Sequence, residues 1–220
     1  MKGLSLSEPM VKAWLAGNKA VTRRLMNPQP TESVECIHGI WCEQWDVERG
    51  DGYVDQDARP LKQRYFPGET VYIKETWARI WNQDGCLNED YDQCPIDCEG
   101  CHIEYKADTG AKYPAEWPDD STGDPSCPKW KSPAIMPETA SRSHALIVSV
   151  RPERVQEITE EDARREGVTP FRNDPEGDCW TDGKYRTAFE YLWNEIHGWN
   201  PNSFASNPFV WRIELKKEGL

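Results

Sequence analysis

Phe209, Trp211, Ile213 and Leu215 alternate with Val210, Arg212 and Glu214, and apolar residues at a period of two fit a strand that buries one face. After the Pro67-Gly68 turn, Val71 and Ile73 alternate with Tyr72 and Lys74, which predicts a half-buried strand over 70–75. Ala145 to Val150 is an apolar strand candidate. Helical spacing is confined to short stretches. Ser7 precedes Glu8 and Pro9, Met10, Val11, Trp14 and Leu15 share one helical face, and Gly17 offers the stop, so a helix is expected at about 8–16. Thr159 followed by Asp162 imitates a capping box for a short helix that ends at Gly167, and Tyr185, Ala188, Phe189, Leu192, Trp193 and Ile196 keep the helical period. Asn18 to Leu25 runs into Asn-Pro-Gln-Pro and is expected to be a strand or extended turn. Thr31 to Gln63 is polar and broken by Gly and Pro, which predicts a loop with short strands at best. Strands with a few short helices and no repeat place the chain in the α+β or small-barrel class.

The 220 residues are expected to form a single domain carrying an insertion at about 78–131, a stretch that is acidic and bears Cys and Pro. With 11 Trp in the chain, aromatic side chains must supply much of the burial. No apolar run approaches the ~20 residues that cross a bilayer, and Met1 to Gly17 lacks the plan of a signal peptide. The expectation is a cytoplasmic protein of a bacterial host or a phage, with no membrane partner.

A formal charge of −12 disfavours tight, sequence-independent binding to duplex nucleic acid, which needs a cationic surface to displace counterions. The charge is unevenly spread. From Met1 to Pro30, Lys2, Lys12, Lys19, Arg23 and Arg24 face the single acid Glu8, whereas from Asp84 to Asp124 twelve acids face Lys106 and Lys112. A local basic site on an acidic body suits a small polar or anionic ligand, or one flipped base, better than a long duplex.

The sharpest chemical feature is Gly17-Asn18-Lys19-Ala20-Val21-Thr22-Arg23-Arg24, directly after the first helix. Its amine, hydroxyl and two guanidiniums can bind an anion or attack an acyl group. A lysine becomes a base only when its pKa is lowered, and burial beside other cations lowers it. Lys19 could then activate the Thr22 hydroxyl. Spacing alone is equally met by a solvated basic turn.

The octet resembles the Gly-x-Lys-x-x-Thr-x-Arg signature of ASCH-domain proteins of the phage and prophage type, placed as in that family after an opening helix. Further matches follow in order. Pro67-Gly68-Glu69 leading into Val71 to Trp77 is similar to the family's turn and core strand. Trp130-Lys131, Met136-Pro137 and Ala140-Ser141-Arg142 are similar to the stretch before its next strand. Ile158 to Ala163 and Glu166-Gly167-Val168 resemble its acidic helix, and Asn207-Pro208 through Leu215 its last strand. The resemblance implies a PUA-like small β-barrel with short flanking helices, a fold related to readers of RNA and of modified bases.

In small bacterial members of that family a Lys, Thr and Glu trio hydrolyses the N4-acyl amide of cytosine nucleosides, without a cofactor. Carried over, the trio falls on Lys19, Thr22 and Glu166, with Glu160 and Glu161 competing for the third place. Lys19 would take the Thr22 proton, Thr22 would attack the acyl carbon, and the carboxylic acid would protonate the departing nitrogen. Arg23, Arg24 or backbone amides would face the oxyanion. Trp77, at a strand end, can stack on a base or belong to the core. Glu75 can hold a base edge or pair with Arg24.

Cys86, Cys94, Cys98 and Cys101 lie within the insertion with His102 adjoining, and such thiols can close a structural zinc site, remain free or form disulfides. Cys36, His38 and Cys42, with or without Cys127, form a weaker constellation. Three functions follow as expectations: an N4-acylcytidine amidohydrolase, a non-catalytic reader of a modified base in single-stranded or flipped-out nucleic acid, and a phage protein-interaction module acting through the acidic insertion.

Overall fold

A computed structural model describes residues 1–48, 54–81, 101–112, 114, 129–170, 184–198 and 201–218. In chain order these form β1 (Lys2–Ser5), α1 (Glu8–Leu15), β2 (Val21–Leu25), β3 (Ser33–Ile37), β4 (Ile40–Glu48), β5 (Val54–Pro60), β6 (Thr70–Lys74), β7 (Trp77–Trp81), β8 (Cys101–Tyr105), α2 (Lys106–Thr109), β9 (His144–Arg154), α3 (Glu160–Arg165), α4 (Tyr185–His197) and β10 (Phe209–Lys217). The class is α+β with strands in the majority. Each sheet has a linear strand order, so the barrel closure expected from the sequence is not found among the described residues. No helix among them is long and apolar enough to cross a membrane.

The chain divides into two compact units. The first comprises Met1–Gly17, Thr70–Ala145 and Lys217–Leu220. In it β1 pairs in parallel with β6, from Lys2 opposite Val71 to Ser5 opposite Lys74. Helix α1 buries Met10, Val11 and Trp14, as its 3.6-residue spacing predicts, and the Trp14 indole donates to Ser143 Oγ at 2.7 Å. The helix stops because Ala16 is its last αR residue and Gly17 follows at φ +77°. Strand β7 pairs antiparallel with β8, from Trp77 opposite Tyr105 to Trp81 opposite Cys101. At its start Trp77 N donates to Lys131 O and Lys131 N to Trp77 O, so the chain returns to the same point after the long excursion between them. Around this bridge Trp77, Met136 and Ala140 are buried together with Ile103 and Tyr105 against them.

The second unit comprises Asn18–Glu69 and Leu146–Lys216. Strands β9, β10 and β2 follow one another in one sheet, with β2 at the end, and β10 runs antiparallel to β2 from Val210 opposite Leu25 to Glu214 opposite Val21. Gln29 locks the far end of that ladder by accepting from Phe209 N and donating to Met26 O and Phe209 O. Phe189 and Trp193 of α4 and Phe204 form an aromatic cluster with centroids 5.9 and 6.3 Å apart.

Ser33–Ile37, Ile40–Glu48 and Val54–Pro60, in a stretch expected to be loop with short strands at best, instead form an antiparallel sheet in the order β3-β4-β5. The reason is local. Ile37 pairs with Ile40, and the two residues between them, His38 and Gly39, both have positive φ, +49° and +83°. That is the backbone of a two-residue hairpin turn, whose twist matches the strands. Glu43 of β4 then organises the neighbouring chain: its buried carboxylate accepts from Thr31 N at 2.6 Å and Thr31 Oγ1 at 2.9 Å and pairs with Arg59. The Thr31 backbone N–H holds its pKa down at about 2.

Candidate functional site

Lys19 enters β2 from the Gly17 turn and is only 3% exposed. Its ammonium sits at the free edge of β2. Leu215 N of the β10 ladder donates to Ala20 O, so the next carbonyl, Val21 O, points the other way, and Lys19 Nζ donates to it at 2.8 Å. The remaining two ammonium hydrogens go to Glu166 O at 2.8 Å and Glu166 Oε2 at 2.9 Å, across 147 positions of sequence.

Helix α3 supplies that partner. Thr159 caps it by accepting from Asp162 N, as the spacing predicts, and Glu166 is its C-terminal cap residue. The end of α3 is tied to β2 twice, because Ala20 N donates to Arg165 O at 2.8 Å and Lys19 Nζ takes the Glu166 carbonyl. Carbonyls that a helix end leaves unpaired are thereby satisfied by the very segment that carries the lysine.

Arg23 continues the network. It donates from Nε to Glu153 Oε1 at 2.7 Å, from Nη1 to Glu166 Oε1 at 3.1 Å and from Nη2 to Asp162 Oδ2 at 2.9 Å, with its guanidinium 5.8 Å from the Phe189 ring centroid. Arg212 of β10 grips Asp162 with Nε and Nη2, both at 2.9 Å. Lys19, Arg23 and Arg212 thus face Glu153, Asp162 and Glu166, and charges balance where water is largely excluded. Hydrogen bonds from Arg212, reinforced by Arg23, hold Asp162 at about pKa 2. Burial pushes the Lys19 pKa below its ordinary 10.5, against the pull of Glu166 and with help from Arg24 and Arg23.

Thr22 lies on the opposite face of β2 from Arg23, since successive strand residues alternate, and it stands across from Ile213. It is 5% exposed. Among the described residues no hydrogen bond joins its hydroxyl to Lys19 Nζ, whose three hydrogens are committed elsewhere. Arg24 shares the Thr22 face. Burial lowers its pKa, with Tyr65, Glu166 and Arg64 in electrostatic range. The structure therefore brings Lys19, Arg23 and Glu166 into one cluster and sets Thr22 and Arg24 beside it on the same strand. Glu160 and Glu161 are not part of it: Glu160 accepts from the backbone of Tyr185 and Arg186, and Glu161 lies 4.0 Å from Arg164.

Glu75 and Trp77 belong to the first unit. Glu75 pairs with Arg142, not Arg24: Arg142 Nε and Nη2 each donate to one carboxylate oxygen at 2.9 Å, Nη1 reaches Asp108 at 2.6 Å, and the guanidinium lies 4.0 Å from the Tyr105 ring centroid. Burial raises the Glu75 pKa against the pull of Arg142. Trp77 is 5% exposed in its hydrophobic cluster, with Lys131 Nζ 5.3 Å from its ring.

Of the zinc candidates, Cys86, Cys94 and Cys98 lie outside the described residues. Cys101 begins β8, and its thiol accepts from Arg79 at 3.4 Å. Cys36 pairs with Trp41 across the β3–β4 ladder, so it shares a face with Trp41, and Cys42, the next residue, points to the other face. These two thiols cannot grip one ion. Cys127 also lies outside the described residues, and among those described no group of metal-binding side chains is assembled.

Sequence reasoning missed Glu153, Asp162 and Arg212 as members of the cluster. Asp162 was visible only as the residue three after a cap, and Arg212 occupies a position that strand alternation assigns to a polar face. No protein-family model matches the chain, and neither a curated protein nor a solved structure matches it significantly.

Proposed function

We propose that this chain is a PUA-like, ASCH-type protein that binds a cytosine nucleoside and hydrolyses an acyl group from its N4 nitrogen at Lys19, Thr22 and Glu166. The observation that carries the reading is the Lys19–Glu166 pair, buried, 2.9 Å long and at the edge of the strand that carries Thr22. Moving one proton along that hydrogen bond converts ammonium and carboxylate into amine and carboxylic acid without changing net charge. Burial lowers the Lys19 pKa, which favours its amine form.

In that state both halves of the chemistry are present. Lys19 Nζ can accept the Thr22 proton as Oγ1 bonds to the acyl carbon, and Glu166 can give its proton to the exocyclic nitrogen as the C–N bond breaks. Water then cleaves the acyl ester on Thr22. Substrate must draw the Thr22 hydroxyl and Lys19 together, and catalytic hydrogen bonds commonly close only when substrate is bound. No cofactor is needed for these steps. A purely phosphate-binding reader is less well supported, because Lys19 and all three nitrogens of Arg23 are already engaged by carboxylates and carbonyls.

Incubation with N4-acetylcytidine and chromatographic detection of cytidine tests the proposal. Wild type should release cytidine, and Lys19→Ala and Thr22→Ala should not. A folded wild-type protein that leaves a panel of N4-acylated cytosine nucleosides intact would end the amidohydrolase reading.

A further inference from the structure

The three nitrogens of the Arg23 guanidinium reach three carboxylates. Nε donates to Glu153 Oε1 at 2.7 Å, with Nη2 2.6 Å from the same oxygen. Nη2 also donates to Asp162 Oδ2 at 2.9 Å, and Nη1 donates to Glu166 Oε1 at 3.1 Å. Two of these anchors are held in turn. Arg212 grips Asp162 with two hydrogen bonds of 2.9 Å, and Arg151 donates to Glu153 Oε2 at 3.2 Å. A guanidinium is planar and rigid, so fixing two of its nitrogens aims the third. That third nitrogen meets Glu166 at Oε1, while Lys19 Nζ meets the same carboxylate at Oε2, 2.9 Å away. The two oxygens of Glu166 are therefore unequal. Its Oε1 faces a donor that keeps its protons, whereas Oε2 faces an ammonium that can give one up.

We propose that Arg23 is a positioning residue for the Lys19–Glu166 pair, which by occupying Glu166 Oε1 confines the exchangeable proton to Oε2 and makes no contact with the substrate. The catalytic consequence rests on the hydrolase reading above. When Glu166 is a carboxylic acid, the oxygen that accepts from Arg23 stays the carbonyl oxygen, because a proton there would point at an N–H. The O–H is then on the Lys19 side, and the base and the acid of the reaction stay adjacent. A substrate oxygen could use Arg23 only by displacing one of the carboxylates, in a site where the guanidinium is buried. Arg23 also acts on the pair through its charge. Burial is the largest cause of the lowered Lys19 pKa, Glu166 at the end of α3 opposes it, and Arg24 and then Arg23 of β2 add to it by repulsion. Position and charge can be separated by substitution. Lysine at 23 keeps the charge without the fork, and glutamine removes the charge.

Two measurements on the intact chain test this role: kinetics with N4-acetylcytidine, and an NMR titration of the Lys19 side-chain nitrogen, identified by its absence from Lys19→Met. Arg23→Lys should lower kcat at least about tenfold, keep KM within about twofold of wild type and leave the Lys19 titration near that of wild type. Arg23→Gln should lower kcat as well and move the Lys19 titration to higher pH, because a repelling charge is gone. The rise of kcat/KM with pH, which needs the free amine, should move the same way. An unchanged kcat in Arg23→Lys would mean that charge alone suffices, and a rise in KM of about tenfold at unchanged kcat would place Arg23 against the substrate. Either result overturns the proposal. So does a fall in kcat in Arg23→Gln with both pH curves unmoved, the mark of a merely structural role. If Arg23→Gln does not fold, kcat and KM of Arg23→Lys still decide. A wild type that hydrolyses no N4-acylated cytosine nucleoside removes the hydrolase reading, and the Lys19 titration in Arg23→Gln then decides by itself whether Arg23 acts on the pair.

Discussion

Arg23 and Arg212 stand opposite each other across the β2–β10 ladder, and both donate to the same carboxylate, Asp162, at 2.9 Å. Like charges directly opposite on one sheet face repel. Here the repulsion is cancelled by a side chain projected from α3, so the helix, the edge strand and its neighbour are held by one carboxylate.

Removing that carboxylate should therefore cost more than an ordinary surface change. Asp162→Asn leaves two guanidiniums facing each other in a site with little water, and breaking a buried pair from one side typically costs about 3–5 kcal/mol. Urea denaturation of the variant should show a loss in that range. A loss below about 1 kcal/mol, the size of an exposed ion pair, would mean that the cluster is solvated.

The same carboxylate sets an acid limit. Its folded pKa of about 2 is below its ordinary 3.8, chiefly through the Arg212 hydrogen bonds, so its stabilisation is complete above pH 4 and is lost as pH falls toward 2. Glu43, held at about 2 by the Thr31 backbone N–H, loses its contribution in the same window from an ordinary 4.5. Unfolding free energy should fall steeply between pH 4.5 and 2. Asp162→Asn and Glu43→Gln should each flatten part of that slope, and neither should abolish it alone. A slope identical to wild type in both variants would contradict the assignment.

Lys19 makes the opposite kind of prediction. Its pKa is lowered, so the unfolded chain holds the proton to higher pH than the folded one, and stability rises as pH climbs through the window below 10.5. Lys19→Met should remove that rise. Against N4-acetylcytidine the same variant should lose at least about a hundredfold in kcat/KM, the usual scale for losing a positioned acid or base. Glu166→Gln should lose activity and also stability, because it leaves an ammonium and a guanidinium without their shared counter-ion.

Much of the local plan could be read from sequence, and little of the long-range pairing. The α1 stop at Gly17, the Thr159 cap and the alternation of β6 are written in neighbouring residues, and each of these is present; β10 is a strand as expected, but it is buried on both faces from Val210 to Ile213 instead of on one. The Lys19–Glu166 contact joins residues 147 positions apart and was reachable only through the family resemblance. Arg212 shows why charge clusters hide: alternation marks its position as polar, but polarity does not distinguish a solvated face from one covered by a helix carrying acids. The β3–β4 hairpin was missed because His38, unlike Gly or Asn, gives no strong signal for positive φ, although Gly39 beside it does. Barrel closure depends on which strands meet at the sheet ends, and no local pattern encodes that.

Trp77 separates a core role from a binding role by a conservative change. Its indole is 5% exposed, packs with Met136 and Ala140, and its Nε1 has no hydrogen-bond partner among the described residues. Trp77→Phe therefore removes ring volume without breaking a hydrogen bond, and the expected loss is about 1–3 kcal/mol from imperfect refilling of the space. Because that packing, rather than a stacked base, accounts for its burial, cytidine affinity measured by calorimetry should stay within about twofold of wild type. A loss of affinity of tenfold or more in a variant that remains folded would instead place the Trp77 ring against the ligand.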